Sequence, residues 1–119
     1  MEMNQYQEAA RDTAIYPSEQ GLLYTVLGLT GEAGEVAEKV KKMLRDGIEL
    51  DDKYRGKIAR ELGDVLWYVA NVAHEIGVSL ETVARANVNK LNDRKVRGKI
   101  SGNGDERLRL WNMDISLLI

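Results

Sequence analysis

The sequence predicts an all-α fold, a bundle of about four helices with a C-terminal loop or arm. Apolar residues recur every three or four positions over long stretches, which is the periodicity of an amphipathic helix. No periodic strand run precedes these stretches, so a parallel sheet has no candidate strands. Glycine, serine and aspartate stand between the stretches, where helices usually end and begin. These observations together favour a helical bundle.

The first two helices are separated by the only proline of the chain, Pro17. A short helix is predicted over residues 3–13. Proline disfavours helical backbone at the residue before it, so this helix has to end before Tyr16-Pro17. The second helix is predicted from about Glu19 to Arg45. It stops at Asp46-Gly47, because glycine adopts the left-handed conformation after the last turn without steric cost.

The third and fourth helices have recognisable first residues. Asp51 or Asp52 can cap the third helix, which runs to about Ile76. Ser79 starts the fourth helix, which ends near Gly98. The remaining stretch, 100–119, begins with a loop by composition and continues with apolar residues that form either a strand or an arm packing on a neighbour.

Composition narrows the class of protein. The 119 residues fit one domain over 1–119, and a net charge of −2 does not favour nucleic acid or an anionic membrane as the main partner. Cysteine is absent, which excludes disulfides and thiolate zinc sites. No window is apolar enough to span a bilayer, and the N-terminus lacks the regions of a signal peptide. We therefore expect a soluble, cytoplasmic protein.

Two acidic pairs carry the functional signal. Glu32 and Glu35 are three residues apart on the second predicted helix, and Glu61 and Asp64 are three apart on the third. Residues at this spacing share one helix face. If the two helices pack antiparallel, the four carboxylates meet in a cluster that repels itself unless cations fill it. Hard oxygen ligands suit Mg²⁺, which also bridges to substrate phosphates. The alternative, for either pair alone, is a solvated helix face.

Three glycines lie inside these helices beside the acids, at Gly31, Gly34 and Gly63. Each costs up to about 1 kcal/mol of helix stability relative to alanine. One explanation is a close approach of backbone beside the carboxylates. The other is that the glycines fill a tight crossing of two helices, and the two explanations are compatible.

The segments GLTGEAGEVAEKVKKML and ARELGDVLWYVANVA resemble the MazG-like nucleotide pyrophosphohydrolases, a family of the all-α NTP pyrophosphatase superfamily. The resemblance covers roughly residues 20–98 and rests on ExxE followed by ExxD. It implies hydrolysis of a nucleoside triphosphate, often a deoxynucleotide, to the monophosphate and pyrophosphate. It implies Mg²⁺, with Mn²⁺ as a substitute, held by Glu32, Glu35, Glu61 and Asp64. It also implies a homodimer or homotetramer in which neighbouring subunits complete each site.

A carboxylate that is not saturated by metal can accept a proton from the attacking water. Glu35 is our candidate for this base, although the sequence does not separate it from Glu32 or Glu38. Glu38 is either a further ligand or a solvent-side residue that pairs with Lys42, four positions on. We favour the pairing with Lys42.

Substrate contacts are predicted on two helices. The segment 85–99 carries six basic residues and one acid. Within it Lys90 and Arg94 share a face and correspond to phosphate-contacting positions of the family, and Asn87 lies one turn earlier. The alternative is a solvated basic helix end. Tyr68 lies four residues after Asp64, where relatives place an aromatic residue near the nucleotide. Trp67 is predicted to point into the core.

Two other classes of protein also place acidic or nucleotide-binding residues on a helical bundle. A ferritin-like di-iron bundle needs Glu-x-x-His on two helices, and the only histidine, His74, has Asn71 at that offset. This class is therefore excluded. The alternative that remains is a non-catalytic helical module that binds nucleotides or a protein partner through the same surface.

Overall fold

The computed structural model describes residues 1–98, which form four α-helices and one turn of 3₁₀ helix. The α-helices are α1 (Met3–Asp12), α2 (Gly21–Asp46), α3 (Asp52–Glu75) and α4 (Leu80–Val96), and the 3₁₀ turn is Ser18–Gln20. No strand occurs within 1–98, so the prediction of an all-α fold is confirmed. The loop and arm predicted over 100–119 lie outside the described residues.

The helix ends follow the local chemistry of the chain. Asp51 caps α3 by accepting a hydrogen bond from the backbone N–H of Tyr54 at 2.9 Å. Ser79 caps α4 in the same way, accepting from Thr82 N–H at 3.1 Å. Gly47 follows α2 with a φ of 63°, the left-handed conformation that a non-glycine residue adopts only at a cost. These residues therefore fix where the long helices begin and end.

Helices α2 and α3 form an antiparallel pair joined by the short link 47–51. Successive contacts pair later residues of α2 with earlier residues of α3. The Glu75 carboxylate lies against Gly21, and the Tyr68 ring lies against Gly28. Further along, Lys39 reaches Glu61. This pairing places the middle of α2 opposite the middle of α3.

The small core lies where α1 crosses α3 and the start of α4. Ala10, Ala70 and Leu80 are buried there, with Tyr6 and Trp67 packed against them. Helices α1 and α4 both pack on α3, whereas α2 packs mainly on α3 alone. Within 1–98 no helix is both long and apolar enough to cross a membrane.

The apolar stripe of α2 is largely exposed in this single chain. Leu23 is 59% exposed, Leu27 62% and Leu44 80%, although their periodicity is typical of a buried helix face. The reason is that α3 covers only one side of α2. The stripe is therefore an apolar surface that the described chain does not cover.

Candidate metal centre and nucleotide site

The pairing of α2 with α3 brings three of the four predicted acids together. Glu32 comes from α2, and Glu61 and Asp64 come from α3. Each contributes a carboxylate oxygen, and the three oxygens lie within 4.8 Å of one another. Glu32 and Glu61 are half-buried and Asp64 is exposed. Three converging hard oxygen donors at this separation fit a divalent ion such as Mg²⁺ or Mn²⁺. We call these three residues the acid group.

The carboxylates of the acid group repel one another. The pKa of Glu32 is raised above its ordinary value, first by partial burial and then by the negative charges of Asp64, Glu61 and Glu35. A raised pKa means that ionising Glu32 works against its surroundings. A bound cation reverses this effect, since it attracts all of these charges at once.

Glu35 lies outside the acid group, although it belongs to the same face of α2. Its side chain is exposed, and its charge still contributes to the raised pKa of Glu32. The structure thus places Glu35 near the three acids without making it one of the converging set. Its roles as fourth ligand and as base remain predictions.

Glu38 lies on the outer side of α2 and is engaged with lysines. Its carboxylate accepts a hydrogen bond from Lys41 at 2.8 Å and lies 3.7 Å from Lys42. The pKa of Glu38 is lowered, mainly by the hydrogen bond and charge of Lys41. The pairing with Lys42 is therefore present, and Lys41, which the sequence analysis did not single out, is the closer partner.

Lys39 is a residue of the site that sequence reasoning missed. Its Nζ lies 3.4 Å from Oε1 of Glu61, across the α2–α3 interface. The sequence feature that could have indicated Lys39 is its spacing: it follows Glu32 by seven residues and therefore lies on the same face of the helix. That signal does not show which residue of α3 lies opposite.

A cavity of about 280 Å³ adjoins the acid group, and its described lining is Glu32, Asp64, Trp67 and Tyr68. Tyr68 thus lies beside two of the acids. Trp67 packs against the core, as predicted, and it also lines this cavity, which the prediction did not include. Its indole N–H donates to the hydroxyl of Thr13 at 2.8 Å, which fixes the ring from the end of α1.

Aromatic side chains surround Tyr68. The ring of Trp67 meets it edge-on with centroids 4.9 Å apart, and the ring of Tyr24 lies 6.4 Å away. The pKa of Tyr68 is raised, first by burial and then by the Tyr24 hydroxyl and by the charges of Glu32 and Asp64. Tyr68 therefore stays neutral, and it lines the cavity beside the acid group.

Close backbone approach occurs at Gly28 and not at the three glycines singled out from the sequence. A Cβ at Gly28 would collide with the Tyr68 ring. In contrast, a Cβ at Gly31, Gly34 or Gly63 would meet no atom of the described chain within 4 Å. The expected close approach beside the acids is therefore absent within residues 1–98, because these glycines face away from the α2–α3 contact.

Asn87, Lys90 and Arg94 lie on α4, which packs on α1 and α3. Asn87 is exposed, Lys90 is half-buried and Arg94 is only 7% exposed. The described lining of the cavity comes from α2 and α3, so the single chain does not bring these three residues to it. Their contact with phosphate remains a prediction.

The part of the chain that carries the two acidic pairs also matches a known domain family. Residues 20–97 match the MazG nucleotide pyrophosphohydrolase domain over a range that holds α2, α3 and α4. The chain belongs to this family. This MazG-family chain is also similar to the "Gene 37 protein" of Mycobacterium phage L5, with 51% identity over 115 residues, covering 90% of this chain and 100% of the relative. No solved structure matches the chain.

Family membership supports a nucleotide pyrophosphohydrolase at the general level. The matched range contains every acid of the two pairs as well as the basic residues of α4. The helix α1 precedes the match and contributes Thr13, just past its end, as the partner of Trp67. The name of the phage relative states no activity.

Proposed function

We propose that the protein is a Mg²⁺-dependent hydrolase that cleaves a nucleoside or deoxynucleoside triphosphate to the monophosphate and pyrophosphate. The observation that carries this proposal is the convergence of Glu32, Glu61 and Asp64 beside a cavity with aromatic walls. Mn²⁺ is the expected substitute for Mg²⁺, because both prefer oxygen ligands. The cytoplasm is the compartment that supplies such a substrate.

Each residue of the site has a chemical part in this proposal. Glu32, Glu61 and Asp64 would hold the divalent ion, with Glu35 as the fourth acid. An ion bound there would neutralise charge on the triphosphate and lower the pKa of a bound water. Tyr68 offers its ring face to the nucleobase, which stacks on aromatic side chains irrespective of its identity.

Glu35 is proposed as the general base. It lies outside the acid group, so an oxygen stays available to accept a proton from the attacking water. Its exposure gives water access, and its charge reaches Glu32. Glu32 and Glu38 remain the alternatives, although Glu38 is engaged with lysines on the outer side of α2.

Asn87, Lys90 and Arg94 are proposed to contact the phosphates. Because α4 does not line the cavity within one described chain, these residues would reach the triphosphate at a site that a neighbouring subunit completes. Arg94 has to expose its guanidinium for this contact, since it is almost fully buried. The protein is accordingly proposed to be a homodimer or homotetramer.

The exposed apolar stripe of α2 supports this assembly. Leu23 and Leu27 are each more than half exposed, and Gly31 and Gly34 continue the same helix with open space beside them. A helix bearing large apolar side chains followed by glycines offers another helix a close packing surface. A second copy of the chain is the partner that we propose for it.

The test of the proposed function is pyrophosphate release from a panel of NTPs and dNTPs with Mg²⁺ or Mn²⁺. We expect Glu61→Gln and Asp64→Asn to lower kcat/KM by about two orders of magnitude or more, because each removes a charged metal ligand. Glu49→Gln, in the link between α2 and α3, is the matched control and should retain the wild-type rate.

Two outcomes would contradict the proposal. One is full activity in Asp64→Asn. The other is a wild-type protein that binds nucleotide and releases no pyrophosphate, which would instead support the non-catalytic binding module.

A further inference from the structure

Lys39 is a cation that the fold places at the acid group and that the proposed reaction does not yet use. Its Nζ lies 3.4 Å from Glu61 Oε1, and the two side chains are 28% and 17% exposed. The contact joins α2 to α3, so it depends on the same helix pairing that assembles the acids. Because Glu61 belongs to the acid group, the ammonium of Lys39 lies at the edge of the proposed metal site.

The neighbouring lysines of α2 have a different position. Lys41 and Lys42 pair with Glu38 on their own helix, and their side chains are 66% and 49% exposed. Ion pairs at such exposure contribute little, because water and salt screen them. Lys39 is the more shielded, and its partner is a proposed metal ligand.

A divalent ion bound to the acid group would compete with the Lys39 ammonium for Glu61. Both are positive, so an ion held by Glu61 weakens the pull of this carboxylate on Lys39 and repels the ammonium directly. Lysine carries its charge on a flexible four-carbon stem, which lets the ammonium move without moving the helix. A triphosphate bound to such an ion would bring negative oxygens near this ammonium, and lysine binds phosphate as a point charge.

We propose that Lys39 is a further substrate-binding residue, whose ammonium leaves Glu61 for a phosphate oxygen of the triphosphate when a divalent ion occupies the acid group. This inference rests on the proposed function and deepens it. It assigns a phosphate contact to α2, in addition to the contacts predicted for α4.

Two affinities of the Lys39→Met variant test the inference. The first is the affinity for Mn²⁺ alone, measured by calorimetry. The second is the affinity for α,β-imido analogues of the four dNTPs at saturating Mn²⁺. We expect Mn²⁺ to bind about three- to tenfold more tightly, because a competing positive charge is gone. We expect the analogue that the wild type binds best to bind about tenfold more weakly, because a charged phosphate contact is gone.

The opposite signs of the two changes identify the role. Lys41→Met makes the same change of charge on the same helix and should alter neither affinity more than about twofold, because its partner is Glu38. Lys39→Arg keeps a cation at the site and should bring both affinities back toward those of the wild type.

Other results would overturn the inference. If both affinities rise in Lys39→Met, the lysine only repels the metal. If both affinities fall, the lysine only supports the structure. If neither affinity changes, the lysine has no part in the site. A wild-type protein that binds no Mn²⁺ would overturn the proposed function as well. In contrast, normal Mn²⁺ binding with unchanged affinities in Lys39→Met would overturn the inference alone.

Discussion

The Glu32 carboxylate is held where ionisation is unfavourable. Its pKa is raised by partial burial and by the charges of Asp64, Glu61 and Glu35. A carboxyl whose pKa is higher in the folded than in the unfolded chain destabilises the fold when ionised. This penalty is complete above the folded-state pKa and disappears below the unfolded-state pKa. Glu32, which is proposed to hold a metal ion, therefore lowers the stability of the fold when no ion is bound.

The Glu32→Gln substitution should expose this cost. In the presence of a chelator at pH 7 we expect the variant to melt about 2–4 °C higher than the wild type, because repulsion within the acid group falls. The gain should shrink on acidification and vanish below about pH 4, where the wild-type carboxyl is protonated in both states. Circular-dichroism melts across this pH range provide the measurement.

The same variant should lose pyrophosphohydrolase activity, since it lacks one proposed metal ligand. Glu49→Gln is the control and should show neither effect. A melting temperature of Glu32→Gln that equals the wild-type value at pH 7 in chelator, or a gain that persists at pH 3.5, would contradict the electrostatic explanation.

At the scale of the helices, the contact of Gly28 with Tyr68 sets how closely α2 and α3 approach beside the cavity. We predict that Gly28→Ala destabilises the protein by about 1–3 kcal/mol, because the added methyl collides with the Tyr68 ring. The usual gain in helix propensity, up to about 1 kcal/mol, offsets this only in part. Urea unfolding gives the free energy, and nucleotide-analogue binding reports the displaced ring.

Gly56→Ala is the matched control on α3. A Cβ there would meet only the far end of Arg60, at 4.0 Å, so this variant should be neutral or up to about 1 kcal/mol more stable. Equal stability of the two alanine variants would show that the Tyr68 ring yields without cost, and the contact would then not set the helix approach.

Gln7 joins α1 to α3, to the link between α3 and α4, and to the first residue of α4. Its amide nitrogen donates to the carbonyls of Ala70 and Val78, both at 3.2 Å, and its amide oxygen accepts from Leu80 N–H at 3.0 Å. We predict that Gln7→Leu costs about 1–3 kcal/mol of unfolding free energy, because it removes all three hydrogen bonds and deprives the partly buried Leu80 N–H of its acceptor. Chemical unfolding measures this value.

Glu8→Leu adds a leucine at the next position of α1, on its exposed face, and is the control. We expect it to change the unfolding free energy by less than about 0.5 kcal/mol. A cost for Gln7→Leu no larger than that of the control would mean that water replaces the Gln7 hydrogen bonds without loss.

The helices could be predicted from local chemistry, whereas the contacts between helices could not. Caps such as Asp51 and Ser79 act within a few residues, so the helix ends could be read from the sequence. The meeting of Glu32 with Asp64 followed from spacing once antiparallel packing was assumed. Three features depend on the crossing of α2 and α3, which periodicity does not specify: the contact at Gly28, the pairing of Lys39 and the place of Trp67 in the cavity wall.

At the scale of the whole molecule, the apolar stripe of α2 predicts association with a second copy. Wild-type protein should have the mass of a dimer or tetramer by light scattering after size exclusion. We predict that Leu23→Glu together with Leu27→Glu shifts it to a monomer, because two charges are then buried in the interface. The monomeric variant should also lose activity, because residues of α4 are proposed to complete the site of a neighbouring subunit.

Ile15→Glu is the control for this substitution, because Ile15 is 96% exposed in the loop between α1 and the 3₁₀ turn. It should leave the mass unchanged. A monomeric wild type that is fully active would contradict both the interface and the proposed contribution of α4 from a second subunit.

Anomalous diffraction at the manganese edge, from crystals grown with Mn²⁺ and an α,β-imido dNTP, tests the proposed metal centre most directly. We predict an anomalous peak about 2.0–2.3 Å from carboxylate oxygens of Glu32, Glu61 and Asp64, with the triphosphate on the other side of the ion. A manganese ion found elsewhere, or a nucleotide bound with no ion at these three acids, would contradict the proposed metal centre.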